Sequence, residues 1–307
     1  MSLLLYRKLY SNFFMKSEEI LKIIPSISHP VGLGGCHAGK TSFDCCAYDI
    51  TIFDETDTHE SIIQKDGKFF KIHHCALSEN RIESLVQLQN MQILSDERWE
   101  LQMFLAKVSK KQDLIFNAFT KNNIIESQIC LTKAQNGLGK SDPFVSSWIK
   151  SAGYFLADAI LSSNNYSPSP SHMLDILRNL ESNQINETLS IILDSLGLER
   201  ATPSLLARME KSAIGLSDLV EKNNNSKIIQ QKINCFIEKS LFADCYFYIG
   251  YVNRNNFYRI KNSLDDYPEL IHILKTGFDL EYDSSTYETT IQSLTKVIEI
   301  ILKSTHE

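Results

Sequence analysis

The chain has 307 residues, of which 43% are hydrophobic and 22% charged, a balance that excludes a disordered chain and allows one large domain or two ordinary ones. Its formal net charge of -6 argues against a general electrostatic attraction to nucleic acid, so a nucleic-acid partner would require a local basic patch. No run approaches the ~20 apolar residues of a membrane span, and the seven cysteines lack CxxC spacing, so we expect no membrane partner and a reducing, cytoplasmic location.

The first predicted elements are a helix and a strand, separated by a glycine-rich stretch. Residues 17–24 predict a helix, because a serine can cap the first turn and a proline follows the last. Residues 31–42 read VGLGGCHAGKTS. The run 47–53, AYDITIF, then alternates as a strand does.

A hairpin is predicted next. Residues 61–64 and 68–77 read as two strands around the pair Asp66-Gly67. An Asp-Gly pair readily adopts the positive φ angles that a tight hairpin turn needs. Together with the strand at 47–53, this hairpin makes a small sheet.

From about residue 80 onward nearly every segment predicts a helix, beginning with 79–94 and 97–119. The clearest helix is 144–161, whose apolar residues fall on one stripe after Asp142 as N-cap and Pro143 at the first helical position. Later helices are predicted to begin near 169–171 and at 287, and the short linkers are 121–123, 162–171 and 223–226.

The predicted fold class is therefore α+β. Residues 1–120 are expected to form a small mixed sheet with flanking helices, and residues 121–307 an α-helical bundle domain.

An aromatic segment at 245–262, CYFYIGYVNRNNFYRIKN, ends in the basic residues Arg254, Arg259 and Lys261. Such a segment could stack bases and bind phosphates. Because aromatic residues dominate protein cores, we interpret it as a buried aromatic segment with a solvated basic end.

Residues 34–41 read GGCHAGKT and satisfy the P-loop pattern G-x-x-x-x-G-K-[ST]. A P-loop needs an apolar strand before its first glycine and a helix that begins at the Lys-Ser/Thr pair. Here two prolines lie in the preceding PSISHPVGL, and the following residues read as a loop and then a strand. A P-loop NTPase is therefore the alternative prediction rather than the first.

The pair Gly34-Gly35 and the later segment 49–52, DITI, resemble the nucleotidyltransferase superfamily, which includes kanamycin nucleotidyltransferase and poly(A) polymerase. In that superfamily a Gly-Gly or Gly-Ser turn ends a short helix, and a following strand carries two acids separated by one apolar residue. Residues i and i+2 of a strand point the same way, which lets both carboxylates bind Mg²⁺ beside a triphosphate. The resemblance implies a nucleotidyltransferase-like fold, a nucleoside triphosphate such as ATP as substrate or ligand, and Mg²⁺-dependent nucleotidyl transfer to an unknown acceptor.

The resemblance also implies roles for individual residues. Asp49 would be the catalytic residue and the metal ligand. Gly34 and Gly35 would bind the nucleotide, with help from Lys40 or Thr41.

The acid set of the superfamily is incomplete in this sequence. Ala47 and Thr51 flank Asp49 at i-2 and i+2, and the next strand offers His73 and His74 instead of a third acid. These two histidines are expected to point to opposite faces of their strand, so they cannot both bind one metal. The sequence therefore predicts a nucleotide-binding protein that is either catalytically degenerate or a Mg²⁺-dependent nucleotidyltransferase. A non-enzymatic helical interaction protein is a further alternative.

Overall fold

The computed structural model describes residues 15–24, 28–39, 42–56, 60–220, 225–262, 264, 266–280 and 284–304. Lys40 and Thr41 therefore lie outside the described residues. The chain divides into two compact units, 1–115 and 116–307, and the sequence placed the boundary at 120/121. No described helix is both long enough and apolar enough to cross a bilayer.

The described residues of the first unit form a five-stranded mixed sheet with short helices around it. The elements in chain order are α1 (Ser17–Leu21), β1 (Val31–Gly34), α2 (Gly35–Ala38), β2 (Tyr48–Ile52), β3 (Ser61–Lys65), β4 (Lys68–His74), α3 (Ile82–Gln87), β5 (Gln92–Ser95) and α4 (Glu100–Ser109). The strand order is β3-β4-β2-β1-β5, in which β2 and β4 are parallel and the other neighbours are antiparallel. With the helical second unit, this confirms the α+β class.

The hairpin at Asp66-Gly67 forms as predicted. Asp66 has φ 51° and Gly67 has φ 74°, and Lys65 pairs with Lys68 on either side of them. Two positive φ values in a two-residue loop give the turn whose twist matches the flanking strands. The local sequence is therefore sufficient to fix this register.

The strand alternation of β2 separates a buried face of the sheet from a polar one. The buried face and α1 share a small hydrophobic core. Each large apolar side chain that is fully buried there stabilises the fold by about 1.5–3 kcal/mol. Its buried members are Ile20, Ile24, Val31, Leu33, Tyr48, Ile50 and Phe70. Asp49 lies between two of these residues in sequence, so its side chain points to the other face.

Two strands of the sheet were not predicted. β1 lies in the glycine-rich stretch, and β5 overlaps the end of residues 79–94, which were predicted as one helix. Gly32 of β1 pairs with Thr51 on one side and with Ile93 on the other. Short apolar runs do not distinguish strand from helix by periodicity, so the pairing partners decided the outcome.

The second unit is a bundle of helices. The division between the units falls within α5 (Gln112–Leu138). The predicted linker at 121–123 is wrong, because those residues are helical. The remaining elements are α6 (Val145–Ser163), α7 (Met173–Arg178), a 3-10 helix (Asn186–Thr188), α8 (Leu189–Leu196), a 3-10 helix (Leu198–Arg200), α9 (Pro203–Val220), α10 (Asn225–Glu238), α11 (Phe242–Ile260), α12 (Leu270–Gly277) and α13 (Ser284–Ser304).

The predicted helix at 144–161 is the central helix of this bundle. It runs from Val145 to Ser163, and the Phe144 amide donates a 2.8 Å hydrogen bond to Asp142 Oδ1 just before it begins. Almost every residue of α6 is buried, which a helix allows when neighbours pack on all its sides. Small residues such as Gly153 permit that close approach, since an added Cβ would lie 3.0 Å from Leu196 Cδ2.

A buried ion pair links α6 to α11. Arg254 Nη1 donates to Asp158 Oδ2 at 2.9 Å, and the Tyr251 hydroxyl donates to Asp158 Oδ1 at 3.0 Å. The guanidinium also lies over the rings of Phe155 and Tyr251, 4.4 and 4.2 Å from their centroids. The segment 245–262 is thus a buried aromatic helix as interpreted, but Arg254 belongs to its core rather than to a solvated basic end.

Candidate functional site

The glycine pair connects β1 directly to α2. Gly34 is the last residue of β1 and pairs with Asp49 of β2. Gly35 opens α2 with φ 63°, a value that side-chain-bearing residues rarely adopt. The expected order of a helix followed by the Gly-Gly turn is therefore wrong in detail, because a strand delivers these glycines.

The carboxylate of Asp49 lies against the backbone of Gly35. A Cβ built on Gly35 would be 2.1 Å from Asp49 Oδ2 and 3.0 Å from its Cγ. Only glycine leaves room for the carboxylate in this position. Asp49 keeps 34% of its side-chain exposure and Gly35 is exposed, so solvent reaches both groups.

His37 fastens the short helix to the sheet. Its Nε2 donates to the Cys46 carbonyl at 2.9 Å, and its ring stacks on Tyr48 with centroids 3.8 Å apart and planes 4° from parallel. Tyr48 directly precedes Asp49 on β2. The turn at Gly35 and the strand that carries the aspartate are therefore held together by side chains from both elements.

A row of acidic, histidine and lysine side chains continues from Asp49 across the sheet. His73 Nε2 lies 3.8 Å from Asp49 Oδ1, and His73 Nδ1 lies 3.4 Å from Glu60 Oε2. Lys71 Nζ lies 3.4 Å from Glu60 Oε1. The register explains the row, since Asp49 pairs with Lys71 and Thr51 with His73 in the parallel β2-β4 ladder.

Sequence reasoning missed Glu60 and Lys71. The signal that could have found them is the hairpin itself, because its turn fixes which residue of β3 faces each residue of β4. That register pairs Ile62 with Lys71, and continuing it by two residues brings Glu60 opposite His73.

The two histidines diverge, as the strand geometry predicted. His73 faces Asp49, whereas His74 Nδ1 lies 2.8 Å from Asp54 Oδ2. Burial opposes ionisation of Asp54, but hydrogen bonds from the Thr56 hydroxyl and from His74 hold its pKa below the usual value. The contacts among Asp54, Thr56 and His74 hold the segment after β2 against the end of β4.

In the described part of the chain, the side chains around Asp49 offer too few converging carboxylates for a pair of cations. Ala47 offers no side-chain ligand and Thr51 is buried. Glu60 and Asp49 approach opposite nitrogens of the His73 ring, so the three do not converge on one point. Among the described residues, Asp49 belongs to no group of three such side chains whose ligand atoms lie within 4.8 Å of one another. The described residues therefore do not build around Asp49 the two-metal arrangement that phosphoryl chemistry commonly uses.

The P-loop pattern is only partly matched by its surroundings. β1 does deliver Gly34, but the helix begins at Gly35 and ends at Ala38, before the lysine and threonine of the pattern. Residues 42–47 are not helical and lead into β2. The helix that a P-loop begins at its Lys-Ser/Thr pair does not continue into this stretch.

Neither a family model nor a curated protein matches the sequence. Among solved structures, a nucleotidyltransferase-like protein from Exiguobacterium sibiricum is 9% identical over 82% of this chain and 86% of that chain, with a TM-score of 0.32. At that TM-score the likeness is too distant to identify a family.

Proposed function

We propose that the first unit binds a nucleotide as its Mg²⁺ complex at the turn between β1 and α2, with Asp49 as the single protein carboxylate on the cation. The observation that carries the proposal is the position of the Asp49 carboxylate against Gly35, where a partly exposed acid meets the exposed glycine of the turn. A turn without a side chain lets a ligand approach the backbone closely.

The charge of Asp49 decides the form of the ligand. A bare phosphate would be repelled by the carboxylate, because like charges at short range raise each other's energy. A Mg²⁺ ion between them removes the repulsion, and Mg²⁺ is commonly bound through one or two carboxylates together with substrate phosphates and water. One acid is therefore sufficient for binding, and Lys40 and Thr41 are further candidate contacts to the phosphates.

The side chains beside Asp49 favour nucleotide binding without turnover. Nucleotidyl transfer through paired cations needs more than one carboxylate to hold them, whereas Ala47 and Thr51 occupy the positions at i-2 and i+2 from Asp49. If the unit were active, Asp49 would hold the cation, the acceptor would attack a nucleoside triphosphate, and pyrophosphate would leave.

Isothermal titration of the full chain with ATP tests the proposal, with and without Mg²⁺. Wild type should bind ATP saturably only with Mg²⁺. Asp49→Asn should weaken binding by roughly 10- to 150-fold, because a contact with a charged group is worth about 1.5–3 kcal/mol. Asp66→Asn is the matched control, because it removes the same charge at the hairpin turn, where asparagine tolerates the positive φ.

The products separate the alternatives. Release of pyrophosphate would establish the active nucleotidyltransferase, and release of inorganic phosphate that is lost in Lys40→Ala would establish the P-loop NTPase. An unchanged melting temperature with ATP and Mg²⁺ would reject nucleotide binding and favour the interaction protein, since a ligand of the native state must raise stability.

A further inference from the structure

The second unit contains a cavity of 230 Å³. Its walls come from α6, from the end of α8 and the 3-10 helix that follows, and from the first turns of α13. Hydroxyl groups and charged side chains dominate the lining, which includes Ser146, Lys150, Ser195, Arg200, Thr286 and Thr290. A cavity smaller than the usual ~300–1,000 Å³ of drug-sized ligands suits a small metabolite.

Lys150 of α6 has neutral hydrogen-bond partners. Its ammonium donates to the Leu196 carbonyl at 2.8 Å and to the Tyr246 hydroxyl at 3.0 Å. Within the described ranges no carboxylate lies in ion-pair contact with Lys150. Burying an ammonium group without a carboxylate partner raises the free energy of the fold. An anion bound in the cavity beside Lys150 would lower it again.

The nearby carboxylate of Asp279 is paired with Arg200. Arg200 Nε lies 2.9 Å from Asp279 Oδ2, and Arg200 Nη2 donates to Asp279 Oδ1 at 3.0 Å. The Tyr246 hydroxyl also donates to Asp279 Oδ2 at 3.2 Å. This forked pair satisfies the Asp279 carboxylate with Arg200, whereas Lys150, on the same cavity lining, has neutral hydrogen-bond partners.

We propose that this cavity binds a small molecule through a carboxylate or phosphate group that pairs with Lys150. Asp194 and Glu199 lie exposed on the lining, and their charge disfavours polyanions such as nucleoside triphosphates. The preferred ligand is therefore a compact anion of low charge, bound independently of the nucleotide proposed for the first unit.

Binding should follow the protonation of Lys150. Burial lowers the pKa of Lys150 to about 8, with Asp279 and Glu199 raising it and Arg200 lowering it. Tyr246, Asp194 and Tyr287 also face this region, and burial raises the pKa of Tyr246. A ligand that needs the ammonium form binds fully below this pKa and is lost above it, so affinity should fall by about 30-fold between pH 7 and 9.5.

The test is calorimetric titration of the full chain with acetate and with inorganic phosphate. The loss of affinity with rising pH is measured with acetate, because the charge of phosphate itself changes with pH. Wild type should bind at least one of the two anions saturably at pH 7. Lys150→Met should lose affinity by roughly tenfold or more, and Lys150→Arg should retain part of it. Lys227→Met, at an exposed position of α10, is the matched control. Saturable binding of neither anion, or equal affinity in Lys150→Met, would overturn the proposal.

A second measurement keeps the wild-type chain intact. Saturating anion should slow acylation of Lys150 by an amine reagent relative to Lys227, as read by peptide mass spectrometry. Equal rates at Lys150 with and without the bound anion would contradict the pairing. ATP with Mg²⁺ should leave the Lys150 rate unchanged, which separates this site from the one proposed in the first unit.

Discussion

Replacing Gly35 by alanine should destabilise the first unit through two effects that can be separated. The first is backbone strain, because a residue with a Cβ at φ 63° costs about 1–2 kcal/mol. The second is the collision of the new Cβ with Asp49 Oδ2, 2.1 Å away. Because a carboxylate is the flexible end of a side chain, it rotates away, and an off-rotamer side chain costs about 0.5–1.5 kcal/mol. We expect a total loss of about 1.5–3.5 kcal/mol from these terms.

Gly67→Ala is the matched control for the strain term. Gly67 has φ 74°, but a Cβ at that position meets nothing within 4 Å. Its substitution should cost only the backbone strain. The difference between the two variants therefore measures the collision with Asp49.

A double-mutant cycle isolates the same term in a second way. In an Asp49→Ala background the collision with the carboxylate is gone, so Gly35→Ala should cost about 0.5–1.5 kcal/mol less than in wild type. Hydrogen exchange of peptides from 31–38 and 48–52 is the appropriate assay, because a chain of two units does not unfold in one step. Equal costs for Gly35→Ala and Gly67→Ala, with no coupling to Asp49, would refute the contact.

Two further predictions concern charged groups that the nucleotide site does not use. The pKa of Asp54 is held below its usual value, so its bonds to Thr56 and His74 stabilise the fold above the unfolded pKa and are lost as pH falls through the folded one. Acidification should therefore expose 54–56 to exchange in wild type, and Asp54→Asn should already show that exchange near neutral pH; identical acid profiles would contradict the assignment. Arg254→Met should cost about 3–5 kcal/mol by leaving the buried Asp158 charge unpaired, and the added change Asp158→Leu should recover most of it; a single variant that melts like wild type would contradict this.

The local sequence was sufficient where neighbouring residues decide the structure. The Asp66-Gly67 turn needs two positive φ values, and those two residue types supply them without help from the rest of the chain. The apolar stripe of 144–161 similarly predicted α6, and only its ends moved by one or two residues. Helix ends depend on capping contacts, which a stripe does not contain.

Two strands of the sheet could not be predicted from the local sequence. β1 has two glycines in four residues and β5 has no alternation of its own, so both became strands through pairing with neighbours. Pairing of β4 with β2 and β3 likewise brings Glu60 and Lys71 into the row that begins at Asp49. No spacing rule along one strand contains that information.

Taken alone, the sequence determined that a glycine turn and an aspartate on an alternating strand are present, because each is a property of a few adjacent residues. Only the tertiary structure decided that the Asp49 carboxylate rests on Gly35, and that Lys150 shares a cavity wall with Arg200 while Arg200 pairs with Asp279. The partners in these contacts are separated by 14 to 79 residues along the chain. Their contact depends on strand register and helix packing, which are set by the burial of side chains from the whole of each unit.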